Sequence, residues 1–194
     1  MKVAIIKYNA GNIHSVELAL QRLGVQSILT DKADEIYSTD KVIFPGQGEA
    51  SSAMEYLKNR DLDIVLKNLK QPFLGICLGL QLMCRHSEEN DTQALGIFET
   101  DVKRFSPKNL KIPQVGWNSV SELKGDLFKG IKTGSFFYFL HSYYAVKNNQ
   151  TIATTDYGEH YASALQKDNY YAVQFHPEKS GENGEHLLKN FLEL

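Results

Sequence analysis

Long apolar runs and targeting signals are missing from this sequence. No stretch approaches the ~18 consecutive apolar residues that suggest a membrane-spanning helix. Met1 leads directly into the strand-like run 3–6, without the charged segment, apolar segment and cleavage site of a secretory signal peptide. We therefore expect a cytoplasmic protein that has no membrane partner.

Cysteine is scarce, with only Cys77 and Cys84 in 194 residues. Two cysteines do not make a disulfide framework. If the segment between them is helical, they lie about 10 Å apart along its axis, beyond the ~7 Å that a disulfide allows between Cα atoms. We expect both thiols to be free.

Neither sign of charge is in excess. The chain has 21 Lys and Arg against 23 Asp and Glu, a net charge of -2, whereas nucleic-acid-binding domains usually carry a basic patch and a high pI. All histidines other than the one at 176 lack the spacing of metal ligands. We expect no nucleic-acid partner and no metal site.

Short apolar runs alternate with amphipathic segments through the first half of the chain. We predict strands at 3–6, 25–29, 41–44 and 73–76, and helices between them at 13–23, 34–38, 49–58 and 62–69. The run 3–6 is apolar throughout, as is typical of a strand buried on both faces. This alternation predicts an α/β fold with a doubly wound, mostly parallel, flavodoxin-like sheet.

The second half is mostly strand-like and ends in a helix. The predicted strands are 99–105, 111–115, 135–140, 151–154, 161–166 and 170–175, and the predicted helix is 184–192. We expect some of these strands to extend the main sheet and others to form a small additional antiparallel sheet. No repeat, linker or low-complexity tract divides the chain, so residues 1–194 are expected to form a single domain.

A cysteine stands between two glycines where an apolar run meets a helical segment. Cys77 follows the run 73–76 and has Gly75 and Gly79 two residues to either side. This is the pattern of a nucleophile elbow with cysteine in place of serine, and the glycines avoid clashes in its strained turn. The start of the following helix favours a thiolate. Burial as a small apolar residue is the alternative, and it is our interpretation of Cys84.

A histidine and a glutamate follow a later strand. His176 follows the run 170–175, and Pro177 favours extended geometry at His176, the residue before it. Residues i and i+2 of an extended segment point to the same side, so Glu178 can reach the imidazole. A base held by a carboxylate and acting on Cys77 would complete a catalytic triad. The alternative is a His-Pro turn with a solvated glutamate.

The loop 45–48 ends the strand that we expect beside the elbow strand. Its Gly46 and Gly48 allow backbone N–H groups to point at a carbonyl oxygen, and with the N–H of Leu78 they form a candidate oxyanion hole. An ordinary turn is the alternative. Gln81 lies one helical turn after the cysteine, where its amide can bind a polar substrate. A structural hydrogen bond is the other interpretation of Gln81.

Two aromatic features lie further along the chain. The run 136–144 is predicted to be mainly a buried strand, and its polar end at 141–143 is expected to border the site. Trp117, the only tryptophan, is either a core or capping aromatic residue or an exposed anchor for a partner, because tryptophan is enriched at interfaces.

These motifs resemble a known family. Gly-Ile-Cys-Leu-Gly-Leu-Gln at 75–81, followed by His-Pro-Glu at 176–178, is similar to the class I glutamine amidotransferases. More narrowly, the chain resembles the glutaminase subunits of imidazole glycerol phosphate synthase, an enzyme of histidine biosynthesis. The segments that carry the narrower resemblance are 11–16, 45–48, 116–118, 137–143 and 176–180.

The resemblance implies a reaction and its residues. Cys77, His176 and Glu178 would hydrolyse glutamine to glutamate and ammonia through a γ-glutamyl thioester, without a cofactor. Gln81 and the backbone at 142–143 (Ser142 and Tyr143) would hold the α-amino and carboxylate groups of glutamine. The glycines of the loop 45–48 would shape the oxyanion hole.

The resemblance also implies a partner. The ammonia would pass to a (β/α)8 cyclase subunit in a heterodimer. The positions that face this subunit in the family are Asn12, Trp117, Asn118 and Lys179. Gln47 departs from the family pattern, which usually has a small aliphatic residue in a peptide thought to turn over when the partner binds.

Two other classes of function compete with this interpretation. A stand-alone hydrolase with a cysteine triad would act on its own substrate without a partner. A non-catalytic, flavodoxin-like binding module would not react at Cys77 with an electrophile that mimics glutamine.

Overall fold

The computed structural model describes residues 1–8, 13–106 and 110–194, in which strands and helices alternate. The strands are β1 (Lys2–Ile6), β2 (Gln26–Thr30), β3 (Lys41–Phe44), β4 (Phe73–Ile76), β5 (His86–Ser87), β6 (Thr92–Gln93), β7 (Asp101–Arg104), β8 (Gln114–Val120), β9 (Ser135–His141), β10 (Tyr143–Ala145), β11 (Thr151–Asp156), β12 (His160–Lys167) and β13 (Tyr170–Val173). The α-helices are α1 (Ile13–Arg22), α2 (Ala33–Tyr37), α3 (Ala50–Lys58), α4 (Leu62–Lys67), α5 (Leu78–Met83) and α6 (Gly181–Glu193). Within these described ranges, no helix is both long and apolar enough to cross a bilayer.

Most of these strands pair in one large sheet. Its order is β2-β1-β3-β4-β13-β12-β10-β7-β5-β6, with β11 paired to β12. The pairs from β2 to β13 are parallel, and the pairs from β13 to β7 are antiparallel. A separate antiparallel pair, β8 and β9, forms a small second sheet. The predicted fold class is confirmed.

The parallel part of the sheet is covered on both faces. In β1, Ala4 and Ile6 pack into one core, whereas Val3 and Ile5 pack into the other. All four side chains are buried. A strand covered on both faces needs an apolar residue at every position, which explains why its sequence does not alternate.

Helix α1 shows how the local sequence ends an element. Its Val16 and Leu20 are buried one turn apart. Gly24 then takes a left-handed φ of +73°. The N–H of Val25 donates to the Leu20 carbonyl at 3.0 Å, and the N–H of Gly24 donates to the Gln21 carbonyl at 3.0 Å. These two bonds make a Schellman cap, so the predicted helix and its terminal glycine are confirmed.

The second half differs from the predicted elements at three places. The strand expected at 111–115 begins at Gln114, because Pro113 has no N–H to donate in a ladder, and it continues through seven paired residues of β8. Helix α6 begins at Gly181, before the expected start at 184. The run 136–144, expected to be mainly one buried strand, divides into β9, which pairs with β8, and β10, which is held by its distant neighbours β7 and β12. In β9, buried residues alternate with half-buried or exposed ones.

Candidate functional site

Cys77 occupies a sharp turn between β4 and α5. Its backbone has φ 54° and ψ -105°, in a region that costs a non-glycine residue about 1–3 kcal/mol. Its N–H donates to the Val173 carbonyl at 2.8 Å, which ties the turn to β13. A Cβ at Gly79 would collide with the Phe44 carbonyl oxygen, and a Cβ at Gly75 would stand 2.9 Å from the carbonyl carbon of Gly79. The elbow therefore excludes a side chain at either glycine.

His176 and Glu178 lie at the same edge of the sheet as the elbow. Strand β13 pairs in parallel with β4, with Val173 opposite Ile76, so the two strands end side by side. Nδ1 of His176 lies 2.8 Å from Oε1 of Glu178, and both side chains are buried. The carboxylate holds a proton on Nδ1 and orients the ring, which leaves Nε2 for chemistry.

The charges around His176 favour the imidazolium form. Burial opposes a charge on the ring, but the neighbouring Cys77 sulfur and then the Glu178 carboxylate outweigh it, and they raise the pKa of His176 to about 10. Nε2 is buried and has no partner in hydrogen-bonding geometry within the described residues, so the sulfur acts on it chiefly through its charge. The arrangement can hold an imidazolium beside a thiolate.

A cavity of about 280 Å³ opens beside Cys77. Its lining contains five of the six residues predicted to bind substrate or form the oxyanion hole, namely Gly48, Leu78, Gln81, Ser142 and Tyr143. The sixth, Gly46, stands behind the lining, where the Tyr8 hydroxyl occupies the space that a Cβ would need. The structure therefore brings these predicted residues together from three separate parts of the chain.

The loop after β3 directs a carbonyl oxygen at the backbone N–H of the predicted oxyanion hole. The N–H of Leu78 points to the Gly46 carbonyl oxygen at 3.4 Å. The preceding carbonyl, that of Pro45, accepts a hydrogen bond of 2.5 Å from the buried Tyr8 hydroxyl. The N–H that we assigned to an oxyanion is thus directed at the protein's own carbonyl in this structure.

Glu89 is a cavity residue that our reading of the sequence missed. Its side chain lines the cavity, and its Oε2 accepts a hydrogen bond of 2.8 Å from the N–H of Ala50. Burial raises the pKa of the Glu89 carboxyl, and this hydrogen bond only partly offsets the effect. No motif marks the short turn between β5 and β6 that carries Glu89, so no sequence signal identified it.

Gln174 is a second site residue that is absent from our sequence-based predictions, although a sequence pattern points to it. Its Nε2 lies 3.6 Å from Sγ of Cys77, and its Oε1 accepts a hydrogen bond of 3.2 Å from Nε2 of Gln81. Gln81 also donates to the Tyr143 carbonyl at 3.0 Å. Since Gln174 stands two residues before His176 in an extended run, the period of two places both on one side.

His141 supports the cavity wall as a neutral residue. Its Nδ1 lies 2.7 Å from the Tyr143 carbonyl oxygen. Burial lowers the pKa of His141 to about 4, although this hydrogen bond opposes the change. At neutral pH its imidazole therefore serves as a hydrogen-bond donor that holds the segment carrying Tyr143.

The small sheet presents an exposed apolar surface. We call this surface the β8–β9 face; it consists of the exposed residues Val115, Trp117 and Phe136 and the half-buried residues Tyr138 and Leu140. Trp117 is 55% exposed, and its ring meets that of Tyr138 edge-on at a centroid distance of 6.2 Å. Trp117 is therefore a surface residue, so a core position is wrong, and a capping aromatic residue or an exposed anchor fits its exposure.

The β8–β9 face is joined to the candidate triad by the backbone of β9. The carbonyl of Tyr138 accepts a hydrogen bond of 2.8 Å from the N–H of His176. The carbonyl oxygen of Leu140 lies 3.6 Å from Sγ of Cys77. A displacement of β9 would therefore act on the backbone of His176 and on the side chain of Cys77.

The other predicted partner residues lie in different settings. Asn118 donates a hydrogen bond of 2.9 Å from its side chain to the Asp156 carbonyl. Lys179 is partly exposed in the 3-10 turn that carries Glu178. Asn12 lies outside the described residues.

Relatives of known name match the whole chain. The family model described as glutamine amidotransferase class-I matches residues 4–194. The protein named imidazole glycerol phosphate synthase subunit HisH of Bacteroides fragilis (strain YCH46) is 58% identical over 196 residues, covering 100% of both chains. The protein of the same name from Escherichia coli (strain K12) is 45% identical over 196 residues, again covering 100% of both.

Solved structures share the fold at lower identity. One glutamine amidotransferase has a TM-score of 0.77 and 18% identity, covering 98% of this chain and 97% of that one. A glutamine amidotransferase from Thermotoga maritima has a TM-score of 0.68 and 16% identity, covering 100% of this chain and 83% of that one. These two comparisons establish the fold, and the matches at higher identity establish the family. This chain belongs to the class I glutamine amidotransferases.

Proposed function

We propose that this chain is the glutaminase subunit of an imidazole glycerol phosphate synthase. It hydrolyses L-glutamine to glutamate and ammonia, and the ammonia passes to a (β/α)8 cyclase subunit that makes imidazole glycerol phosphate. The observation that carries the proposal is the buried His176–Glu178 pair, 2.8 Å apart, beside the strained elbow at Cys77. The whole-chain match to relatives named imidazole glycerol phosphate synthase subunit HisH supports the choice of synthase.

In the first half of the reaction, Cys77 takes the γ-glutamyl group. Its thiolate adds to the amide carbon, and the C=O electron pair moves onto oxygen. When the pair returns, the C–N bond breaks and the nitrogen takes the proton from Nε2 of His176. Ammonia leaves, and a γ-glutamyl thioester and a neutral imidazole remain. Glu178 keeps the ring oriented through Nδ1.

In the second half, water releases glutamate. Nε2 of His176 accepts a proton from the water, and the hydroxide adds to the thioester carbon. The C–S bond breaks, Cys77 leaves as a thiolate, and the imidazolium is restored. Glutamine and water have then become glutamate and ammonia.

Recognition of glutamine requires partners for its two α-substituents. The carboxylate of Glu89 is the acidic group in the cavity lining and suits the α-ammonium group. Nε2 of Gln81 donates hydrogen bonds to Oε1 of Gln174 and to the Tyr143 carbonyl. Oε1 of Gln81 is therefore left to accept a hydrogen bond from the same ammonium group. Backbone N–H groups of the segment 142–143 would bind the α-carboxylate.

We assign the cyclase partner to the β8–β9 face. Large exposed apolar patches mark interaction sites, and aromatic residues are enriched at interfaces. Because the backbone of β9 contacts both His176 and Cys77, a partner seated here is able to influence the triad. Free ammonia is mostly ammonium at neutral pH and is then not nucleophilic, so direct transfer to the partner protects the product.

Replacing Trp117 by alanine should weaken the complex by tenfold or more in Kd, as expected for a central aromatic anchor, which is worth about 2 kcal/mol. The fold should survive, because the side chain is 55% exposed and its loss opens no core cavity. Titration calorimetry with the cyclase subunit measures the Kd, and thermal unfolding of the isolated chain measures the fold.

Tyr37→Ala is the matched control, since Tyr37 is an exposed aromatic residue in α2, outside the small sheet. It should leave the Kd unchanged. Equal affinity of the Trp117→Ala and Tyr37→Ala chains for the cyclase would remove Trp117 from the interface.

The proposed function is tested by following the amide nitrogen of glutamine. When both subunits are supplied with glutamine labelled with 15N at the amide, the label should appear in the imidazole product. Unlabelled ammonium added to the solution should not lower the 15N content of that product. The isolated chain should hydrolyse glutamine slowly and be strongly stimulated by the cyclase bound to its nucleotide substrate. Rapid hydrolysis that the cyclase does not change would instead identify a stand-alone hydrolase.

The predicted single domain and cytoplasmic location belong to the same proposal. Strand β4 of the first half and β13 of the second are direct neighbours in the sheet. Cys77 follows the former and His176 the latter, so the two halves of the chain must fold together to form the site.

A further inference from the structure

The side chain of Gln174 connects the reacting sulfur to the wall of the cavity. Its Nε2 lies 3.6 Å from Sγ of Cys77, and its Oε1 accepts a hydrogen bond of 3.2 Å from Nε2 of Gln81. Gln174 is fully buried, so its amide depends on these protein neighbours for its hydrogen bonds. Neither half of the proposed reaction uses this side chain.

The direction of the Gln174 amide is fixed by its neighbours. A backbone carbonyl can only accept, so the end of the Gln81 amide that lies 3.0 Å from the Tyr143 carbonyl oxygen is its NH2 group. This NH2 group also donates to Gln174, and the atom that receives it must be the carbonyl oxygen, Oε1. The NH2 group of Gln174 is therefore the end that faces the Cys77 sulfur, and there it is a donor.

Two neighbours of the sulfur favour opposite protonation states. The Leu140 carbonyl oxygen, 3.6 Å from Sγ of Cys77, accepts a hydrogen bond from a thiol but repels a thiolate. The Gln174 amide, also 3.6 Å away, donates to the sulfur, and a charged acceptor makes this hydrogen bond stronger. Gln174 therefore offsets the effect of the carbonyl and favours the thiolate.

We propose that the Gln174 carboxamide is a catalytic hydrogen-bond donor that stabilises the thiolate of Cys77. The inference deepens the proposed function, and its role in turnover rests on that function. The electron pair of the thiolate forms the C–S bond to glutamine, the C–N bond breaks, and ammonia leaves with the proton from Nε2 of His176. The pair returns to the sulfur when water hydrolyses the thioester, and the Gln174 donor again stabilises the charge.

The test measures how the reactivity of Cys77 depends on pH in the absence of glutamine. A thiolate reacts with iodoacetamide and a thiol does not, and burial raises the pKa of Cys84, which keeps that second thiol unreactive. In the complex with the cyclase, Gln174→Leu and Gln174→Glu should move the midpoint of the alkylation-rate profile upward by about one pH unit. Below the midpoint, kcat/KM for glutamate formation should fall about tenfold.

The two substitutions separate a donor to the sulfur from a support for Gln81. Gln174→Glu keeps an oxygen that accepts from Gln81 but replaces the donor by a carboxylate, whereas Gln174→Leu removes both groups. If Gln174 only supported Gln81, KM for glutamine would rise in the leucine variant and the alkylation profile would not move in either. Gln166→Leu is the matched control, because Gln166 is a carboxamide of the neighbouring strand β12 whose Nε2 lies 3.4 Å from the Tyr171 hydroxyl. It should keep the parent profile.

The outcomes separate this inference from the proposed function. If the parent complex hydrolyses glutamine and both Gln174 variants are alkylated with the parent midpoint, Gln174 does not stabilise the thiolate and the glutaminase assignment stands. If the parent complex does not hydrolyse glutamine, the proposed function fails and the catalytic role of Gln174 fails with it. Ammonia-dependent product formation by each variant complex reports folding and assembly, and if the leucine variant does not fold the glutamate variant decides.

Discussion

Replacing Cys77 by alanine should abolish glutamine-dependent product formation by the complex and leave ammonia-dependent formation intact. The sulfur is the atom that bonds to substrate, and removing the nucleophile of a triad costs about 10⁴-fold or more. Added ammonia does not need this site, because it reaches the cyclase without passing through the thioester. Product formation measured with glutamine and then with ammonium salt, on one preparation, gives both values.

Cys84→Ala is the matched control. Cys84 is also buried and free, but its sulfur donates to the Leu80 carbonyl at 3.3 Å and does not line the cavity. Both glutamine- and ammonia-dependent rates should persist in this variant. A Cys77→Ala complex that still uses glutamine would rule out the mechanism.

The Cys77→Ala chain also has an expected effect on its imidazole. Burial lowers the pKa of His176, while the sulfur is the first of the groups that raise it to about 10. With the sulfur gone, burial remains and only Glu178 opposes it, so the pKa should fall. An NMR titration of His176 in the two chains measures this change, and an unchanged pKa would show that the imidazole does not sense Cys77.

Replacing Gly79 by alanine should destabilise the chain by about 3 kcal/mol or more, as expected for overpacking against rigid backbone. The added Cβ would stand 2.0 Å from the Phe44 carbonyl oxygen, which belongs to β3 and cannot rotate away as a side chain does. The elbow must therefore shift, and the position of Cys77 shifts with it. Urea unfolding measures the free energy of unfolding. A glutaminase assay of the folded fraction should show a parallel loss of activity.

Gly96→Ala separates the collision from ordinary backbone strain. Gly96 has φ 70° and nothing within 4 Å of an added Cβ, so its substitution should cost only about 1–2 kcal/mol of left-handed strain. If the two variants lose equal stability, the close approach of the elbow to Phe44 is not what requires glycine.

Local patterns predicted the chemistry-bearing residues because each depends on short-range geometry. Cys77 was found from glycines two residues to either side, and Glu178 from the period of two in an extended segment. The same period should have led us to Gln174, whose Nε2 lies 3.6 Å from Sγ of Cys77. Our strand limits were less accurate where Pro113 delayed the start of β8.

Long-range placement hid the remaining residues from such reasoning. Glu89 reaches the cavity only because β5 and β6 fold beside α3, whose Ala50 N–H binds its carboxylate. In the sequence, Tyr8 is an ordinary residue near the end of a strand. Its hydroxyl nevertheless donates a hydrogen bond to the carbonyl of Pro45, 37 positions away. No window of sequence contains both members of either contact.

The fold class, the elbow and the His-x-Glu segment follow from local sequence patterns, because apolar periodicity, glycine spacing and extended geometry act within a few residues. The position of β13 beside β4 depends instead on long-range packing, and it brings His176 to the elbow from the far end of the chain. The same packing directs the Leu78 N–H at the Gly46 carbonyl oxygen. These outcomes depend on which backbone groups from distant segments meet when both faces of the sheet are covered, and that competition is settled only by packing of the whole chain.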